Sequence, residues 1–212
     1  MRRYSLADRL ISHADHVLKT LTPNTTPALR ANPANMHTSP PLDTLQQQLI
    51  AGLMRVNHTG EVCAQALYQG QALTAKLPTV RSDMQRAALE EQDHLAWCED
   101  RLKELNSHMS VLNPLWYGLS FGMGAAAGLA GDKWSLGFVA ETEQQVCRHL
   151  ESHLAQIPQS DQRSRAILSQ MHLDEAHHRQ QALAAGGAEL PPPIKKIMGI
   201  VSKLMTKTSF YV

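Results

Sequence analysis

The sequence has 212 residues, of which 43% are hydrophobic and 5% aromatic, so it can form one substantial domain with appendages. A formal net charge of +1 argues against a general polyanion partner such as nucleic acid. Three cysteines are scattered through the chain without a CxxC pair, at Cys63, Cys98 and Cys147. This usage favours a reducing compartment and argues against a disulfide scaffold.

Residues 1–42 are expected to form a short helix and a linker. We predict no secretory signal, because charged or polar residues interrupt any apolar run at Asp8, Arg9, His13 and Asp15. Helical spacing predicts one amphipathic helix, with an apolar side made by Leu6, Leu10, Ala14, Val17 and Leu21. Five of the eleven prolines fall between Pro23 and Pro41, which is typical of a linker or a mobile arm.

A long helix is predicted from about Asp43 to Lys76, continuing through Gly60 and Gly70. Within it, Glu61 shares a face with apolar and polar residues, namely Met54, Asn57, Ala64 and Tyr68. From this segment alone, an inward-facing Glu61 and a surface Glu61 are equally good interpretations.

Two Glu-x-x-His motifs occur far apart in the chain, Glu91 to His94 and Glu175 to His178. Residues three apart lie on one face of a helix, so each motif can direct a carboxylate and an imidazole to one point. Carboxylate and imidazole ligands are typical of iron or manganese sites and not of thiolate zinc sites. One such motif is weak evidence, because it also occurs by chance on solvated helices.

The helical phase places both motif glutamates on apolar faces. The face around Glu91 contains Met84, Ala88, Leu95, Cys98, Leu102 and Leu105. The face around Glu175 contains Leu168, Met171, His178, Ala182 and Ala185. A buried lone carboxylate is costly unless it is paired or binds a metal, and two helices carry that cost at equivalent places.

A third bundle helix begins near Lys133, and its apolar face contains Leu136, Val139, Val146, Leu150 and Ile157. Glu143 lies on this face, whereas Glu141 points about 200° away from Glu143. We expect His149 and His153, which lie off this face, to be solvated or to support the ligands. The fourth helix is predicted from about Ser160 to Ala185, ending at Gly186-Gly187. Its motif spacing selects His178 over the adjacent His177.

Two further segments are apolar or amphipathic. Residues 112–131 contain no charged side chain and two GxxxG pairs, and we favour a buried or membrane-dipping connector over a spanning helix. Residues 191–212 form a basic amphipathic helix with its lysines at Lys195, Lys196, Lys203 and Lys207. Such a helix suits an anionic membrane surface, and docking on the bundle is an equally good interpretation.

These elements predict an all-α, ferritin-like four-helix bundle over residues 43–190, with a di-iron carboxylate centre and extra amphipathic and apolar helices. In such bundles two helices each provide one glutamate, and the other two each provide Glu-x-x-His. The predicted metal ligands are Glu61, Glu91, His94, Glu143, Glu175 and His178.

Four stretches of the sequence resemble the demethoxyubiquinone hydroxylase family of ubiquinone biosynthesis. They are residues 55–61 (RVNHTGE), 91–94 (EQDH), 114–116 (PLW) and 174–178 (DEAHH), and the resemblance runs from about Leu49 to the C-terminus. It implies a di-iron monooxygenase that uses dioxygen to hydroxylate the ring of a membrane-embedded polyprenyl methoxy-methyl-benzoquinol. In that reading Glu91 and Glu175 bridge two iron ions, Glu61 and Glu143 are terminal, and each iron takes one histidine.

The resemblance also implies an external reductant, and in the family the quinol substrate and NADH can supply electrons. The sequence contains no GxGxxG nucleotide-binding motif. The expected location is the cytoplasmic surface of the cell membrane, with other ubiquinone-biosynthesis proteins or a second copy of the chain as candidate partners.

Two other classes of protein stay open on the residues alone. A ferritin-like or rubrerythrin-like protein that stores iron or scavenges peroxide would use the same ligands, but it has little use for an apolar connector and a basic tail. A metal-free helical protein of the membrane surface would explain those two segments but not six inward ligands. Iron content separates the last class from the others, and quinol hydroxylation separates the first two.

Overall fold

The structure, a computed structural model, describes residues 6–25 and 27–212. These residues form helices and no β-strand. The seven α-helices, numbered in chain order, are α1 Leu6–Leu21, α2 Thr44–Thr74, α3 Pro78–Glu104, α4 Asn113–Ala130, α5 Asp132–Gln156, α6 Gln162–Ala184 and α7 Pro192–Ser209. A short 3-10 turn occupies Pro33–Met36.

Helix α2 is the central element, and most of its length is buried. Asp43 caps its N-terminus by accepting a hydrogen bond from the Gln46 backbone N–H, and the Gln46 side chain accepts one from the Asp43 backbone N–H, completing a capping box. The helix continues through Gly60 and Gly70, as predicted. Burial on several sides stabilises this helix despite the low helical propensity of glycine.

The bundle consists of α2, α3, α5 and α6. Helix α2 packs along α3 and α5 packs along α6, while α2 also contacts α5 and α3 contacts α6. Helix α6 ends where Gly186 adopts a positive φ of 97°, at the predicted glycine pair. The all-α, ferritin-like class is confirmed, and the helix bounds differ from the predicted ones by about two residues.

The apolar connector is α4, which crosses the bundle along α2. Gly124 lies against the Leu67 backbone and Gly70 lies against the Phe121 backbone, so glycines on both helices allow this close approach. Leu115 on the outer side remains 55% exposed. None of the helices in residues 6–25 and 27–212 combines the length and apolar character needed to cross a membrane.

The proline-rich segment, expected to be a linker or a mobile arm, is docked on the bundle over residues 27–42. Ala34 is buried, and the Arg163 guanidinium donates to the Ala34 and His37 carbonyl oxygens at 3.0 and 2.9 Å. In α1, Val17 and Leu21 pack against a small apolar cluster beneath α4. The side chains of Leu6 and Leu10, expected on the same apolar side, lie outside the described part of the chain.

Helix α7 has apolar residues on two sides. Met198, Val201 and Met205 face inward and line a cavity beside α2. Ile197, Ile200 and Leu204 are exposed by 61, 58 and 56%. Both alternatives for this helix therefore find support, since one side packs on the bundle and the other presents apolar surface.

Candidate metal centre

The six residues predicted as ligands lie together in the middle of the bundle. Each is at most 5% exposed, and together they comprise Glu61 on α2, Glu91 and His94 on α3, Glu143 on α5, and Glu175 and His178 on α6. Glu61 is buried, so the structure favours its inward interpretation over the surface one. The helical phase predicted the inward position of Glu91, Glu143 and Glu175, and the Glu-x-x-His spacing added the two histidines.

The six side chains form two overlapping groups, each with its candidate ligand atoms within 4.8 Å of one another. One group comprises Glu61, Glu91, His94 and Glu175, and the other comprises Glu91, Glu143, Glu175 and His178. Both groups contain Glu91 and Glu175. Two sites that share two carboxylates have the geometry of a pair of bridged metal ions.

Each shared carboxylate contacts both imidazoles. Glu91 Oε2 lies 2.9 Å from His94 Nδ1, and Glu91 Oε1 lies 3.1 Å from His178 Nδ1. Glu175 divides its oxygens in the same way, with Oε1 3.1 Å from His94 Nδ1 and Oε2 3.4 Å from His178 Nδ1. Both Nδ1 atoms therefore face the space between the carboxylates.

The outer nitrogen of each imidazole is held by a further carboxylate. His94 Nε2 lies 2.9 Å from Asp174 Oδ2, and His178 Nε2 lies 2.7 Å from Glu90 Oε2. Carboxylates at these positions fix the ring orientation and leave Nδ1 free for a metal. Sequence reasoning missed these two residues, although each directly precedes a motif glutamate and the repeat was visible.

Arg30, in the proline-rich segment, reaches the outer side of the centre. Its Nε lies 2.6 Å from Asp93 Oδ2 and its Nη1 lies 2.9 Å from Asp174 Oδ2. The guanidinium group also lies over the Trp97 ring, 4.8 Å from the centroid. No local pattern pointed to this role, because the contacts join residues more than sixty positions apart in the chain.

On α5 the structure separates the two competing glutamates. Glu143 accepts a hydrogen bond from the buried Tyr68 hydroxyl and belongs to the centre. Glu141 accepts one from Gln145 and lies 3.7 Å from Lys195 on α7, outside the centre. This agrees with the predicted phase of the helix.

The two histidines expected to be solvated or supporting differ in environment. His153 is buried, and its Nδ1 donates to Asn57 Oδ1 at 2.8 Å. Burial lowers its pKa to about 4, with a smaller contribution from His149, so the ring is neutral near pH 7. His149 lines the cavity described below. Neither ring belongs to the two groups of candidate ligands.

The electrostatics of the centre favour a bound cation. Burial raises the pKa of Glu61 and of Glu143, and neighbouring carboxylates add to the effect. Burial also opposes ionisation of Glu91, but the imidazoles of His94 and His178 together lower its pKa. Glu61 Oε2 is buried without a hydrogen-bond partner among the described residues, and Glu91 Oε1 has only the His178 imidazole beside it, at 3.1 Å. Crowded carboxylates with unused lone pairs fit divalent cations, and the oxygen and nitrogen donors fit iron.

An apolar cavity of about 130 Å³ adjoins the centre. Glu61 is both a wall of this cavity and a member of the first ligand group. The other walls come from α2, α4, α5 and α7, and the apolar ones include Ala64, Leu67, Trp116, Met123, Phe138, Val146, Leu150, Met198, Val201 and Met205. The cavity can therefore bring an apolar ligand next to Glu61.

Four helices that bring four glutamates and two histidines to one buried point define the class of ferritin-like carboxylate proteins with a pair of metal sites. Residues 48–209 match the family model described as ubiquinone biosynthesis protein COQ7. This chain belongs to that family, which confirms the resemblance found in the sequence.

The chain is also similar to curated proteins named 3-demethoxyubiquinol 3-hydroxylase. The protein of Acinetobacter baylyi is 64% identical over 212 residues, covering all of both chains. That of Acinetobacter baumannii is 64% identical over 211 residues, again at full coverage. That of Ectopseudomonas mendocina is 60% identical over 209 residues, covering 99% of this chain and 97% of its own. The family model begins at residue 48, as the resemblance in the sequence implied, and the alignments with these relatives also include the residues before it.

Proposed function

We propose that this chain is a di-iron monooxygenase that hydroxylates the ring of demethoxyubiquinol with dioxygen in ubiquinone biosynthesis. The proposal rests on the position of Glu61, which lines the apolar cavity and also belongs to the candidate metal centre. A ring in the cavity would lie beside the metal pair. The relatives at 60 to 64% identity are named for this reaction.

The residues that would hold the two irons follow from the two overlapping groups. One iron would bind Glu61 and His94, the other would bind Glu143 and His178, and Glu91 and Glu175 would bridge them. Dioxygen has a triplet ground state and therefore reacts slowly with a closed-shell ring. Ferrous ions, when bound, would supply the electrons that activate dioxygen.

Residues of the chain itself orient the side chains of this centre. Asp174 and Glu90 hold the two imidazoles through Nε2, and the Tyr68 hydroxyl holds Glu143. Apolar side chains of α2 and α4, including Leu67 and Trp116, line the cavity. In the net reaction one oxygen atom enters the ring, and the other leaves as water with two electrons and two protons from the reductant.

We propose that the protein works at the cytoplasmic surface of the cell membrane, because a polyprenyl quinol dissolves there and not in water. Helices α4 and α7 both line the cavity, and both also present exposed apolar residues, including Leu119 and Leu204. The tail would leave the cavity between these helices. The lysines of α7 would attract the protein to anionic lipid.

The electrons come in this proposal from an external reductant, and the quinol itself and NADH are the two candidates. Other proteins of ubiquinone biosynthesis, or a second copy of this chain, are the candidate partners. Anaerobic reduction of the iron-loaded protein by each candidate would separate the two donors.

The test is hydroxylation of a short-tailed demethoxyubiquinol by the purified, iron-loaded protein under ¹⁸O₂. We expect one labelled oxygen atom in each product ring, detected by mass spectrometry, and none with Glu175→Ala. Consumption of dioxygen and iron oxidation without any labelled ring would contradict the proposal and favour an iron-storage or peroxide-scavenging role.

A further inference from the structure

Gly60 lies in the interior of α2 and has no evident packing reason to be glycine. A glycine in a helix interior costs about 1 kcal/mol relative to alanine. A Cβ atom built at Gly60 would meet nothing within 4 Å, and the residue does not have a positive φ. An alanine would therefore fit here and would favour the helix.

The two other glycines of α2 are each required by close packing. A Cβ at Gly52 would come within 2.6 Å of the Phe210 ring, and one at Gly70 would collide with the Phe121 carbonyl. Each of those glycines admits a neighbouring part of the protein. Gly60 admits no protein atom, so the space beside it is open.

The open space beside Gly60 belongs to the apolar cavity. Gly60 lines this cavity together with Asn57, Glu61 and Ala64 on the same side of α2. Glu61, the next residue, is a member of the candidate metal centre. The missing side chain thus widens the cavity one residue away from Glu61.

We propose that Gly60 is a specificity-determining residue, whose missing side chain makes room for the methyl and methoxy substituents of the quinol ring. This inference rests on the proposed function, since it takes the cavity to be the ring-binding site. A side chain at position 60 would project into the space that the substituted ring occupies. A smaller ring would tolerate it better.

The test is equilibrium binding of two short-tailed benzoquinones to the iron-loaded full chain without reductant. One ring carries the methyl and methoxy groups and the other carries only the tail. Binding is followed by quenching of tryptophan fluorescence, because Trp116 lines the cavity. The variants are Gly60→Ala and Gly60→Val, and iron content and thermal stability are measured for each.

Gly122→Val is the matched control. Gly122 is also a helical glycine with nothing within 4 Å of a built Cβ, but it lies on the exposed side of α4 and does not line the cavity. The same substitution there adds the same side chain away from the ring. We expect both quinones to bind this control as they bind wild type.

For Gly60→Val we expect about a tenfold or greater loss of affinity for the substituted ring, and a clearly smaller loss for the bare ring. Gly60→Ala should fall between wild type and Gly60→Val while melting no lower than wild type. Equal losses for both rings, or no loss, would overturn the role of Gly60 and leave the proposed function standing. Failure of wild type to bind either ring would instead overturn the cavity as the substrate site.

Discussion

Asp174 on α6 accepts a hydrogen bond from His94 Nε2 on α3 at 2.9 Å, so the helix that carries one histidine orients the other. The relationship is reciprocal, because Glu90 on α3 lies 2.7 Å from His178 Nε2 on α6. The two Glu-x-x-His motifs are therefore coupled through the residue that precedes each glutamate. Correct packing of α3 against α6 sets both imidazoles at once.

Replacing Asp174 with asparagine should lower iron affinity about 10-fold or more, because a carboxylate that fixes a ligand histidine contributes about this much. The Glu90→Gln variant is the matched comparison, and it should lose less because the Glu90 side chain is 44% exposed against 18% for Asp174. Competition with a chromophoric ferrous chelator measures both affinities. Wild-type affinity in Asp174→Asn would show that this contact does not support the centre.

The two glutamates of α5 should behave differently on substitution. Glu143→Ala should abolish hydroxylation, because Glu143 is 1% exposed and belongs to the second ligand group. Glu141→Ala should keep most of the activity, because Glu141 contacts only Gln145 and Lys195 among the polar partners described. Product formation under air measures both. Loss of activity in Glu141→Ala alone would show that the assignment of α5 is reversed.

The helical phase was sufficient to predict the glutamates that lie on apolar helix faces, Glu91, Glu143 and Glu175. Glu143 could be chosen over Glu141 in this way, because a helix turns by a known angle per residue. The phase did not decide Glu61, which followed only from the ligand pattern of such bundles. Arg30 could not be predicted, since its position depends on how a proline-rich segment packs on α3 and α6. The role proposed for Gly60 could not be predicted from the sequence either, because it depends on the cavity that other helices form beside this residue.

His153 should make the protein less stable in mild acid. Its pKa is about 4 in the folded protein because it is buried, against about 6.5 in an unfolded chain. The folded state thus binds fewer protons, so stability is lost as the pH falls from about 6.5 towards 4. Between pH 7 and pH 5 this loss is about 1 to 2 kcal/mol.

His153→Gln keeps a donor for Asn57 without a titrating ring and should remove that share of the pH dependence. Urea unfolding of the metal-free wild type and variant at pH 7 and pH 5 gives the change in the free energy of unfolding for each protein. The contributions of the other titrating groups cancel when the two changes are compared. The same pH dependence in both proteins would contradict a neutral, buried His153.

The lysines of α7 should hold the protein on anionic lipid, each contributing about 1 kcal/mol near the surface. Changing Lys195, Lys196, Lys203 and Lys207 together to glutamate should release the protein from anionic liposomes, as measured by co-sedimentation. Turnover of a long-tailed quinol should fall far more than that of a short-tailed one, because each tail methylene costs about 0.8 kcal/mol to move into water. Undiminished liposome binding, or equal losses on both quinols, would show that α7 only packs on the bundle.

The central claim is that Glu91 and Glu175 join two irons in one centre, and Glu175→Ala tests it most directly. The purified wild type should contain about two irons per chain, as this ligand pattern implies, and Mössbauer spectroscopy should show a coupled pair. Glu175 contacts both histidines, so its removal should disturb both irons and abolish the coupled signal. Unchanged iron stoichiometry and an unchanged coupled spectrum in Glu175→Ala would contradict this assignment of the centre.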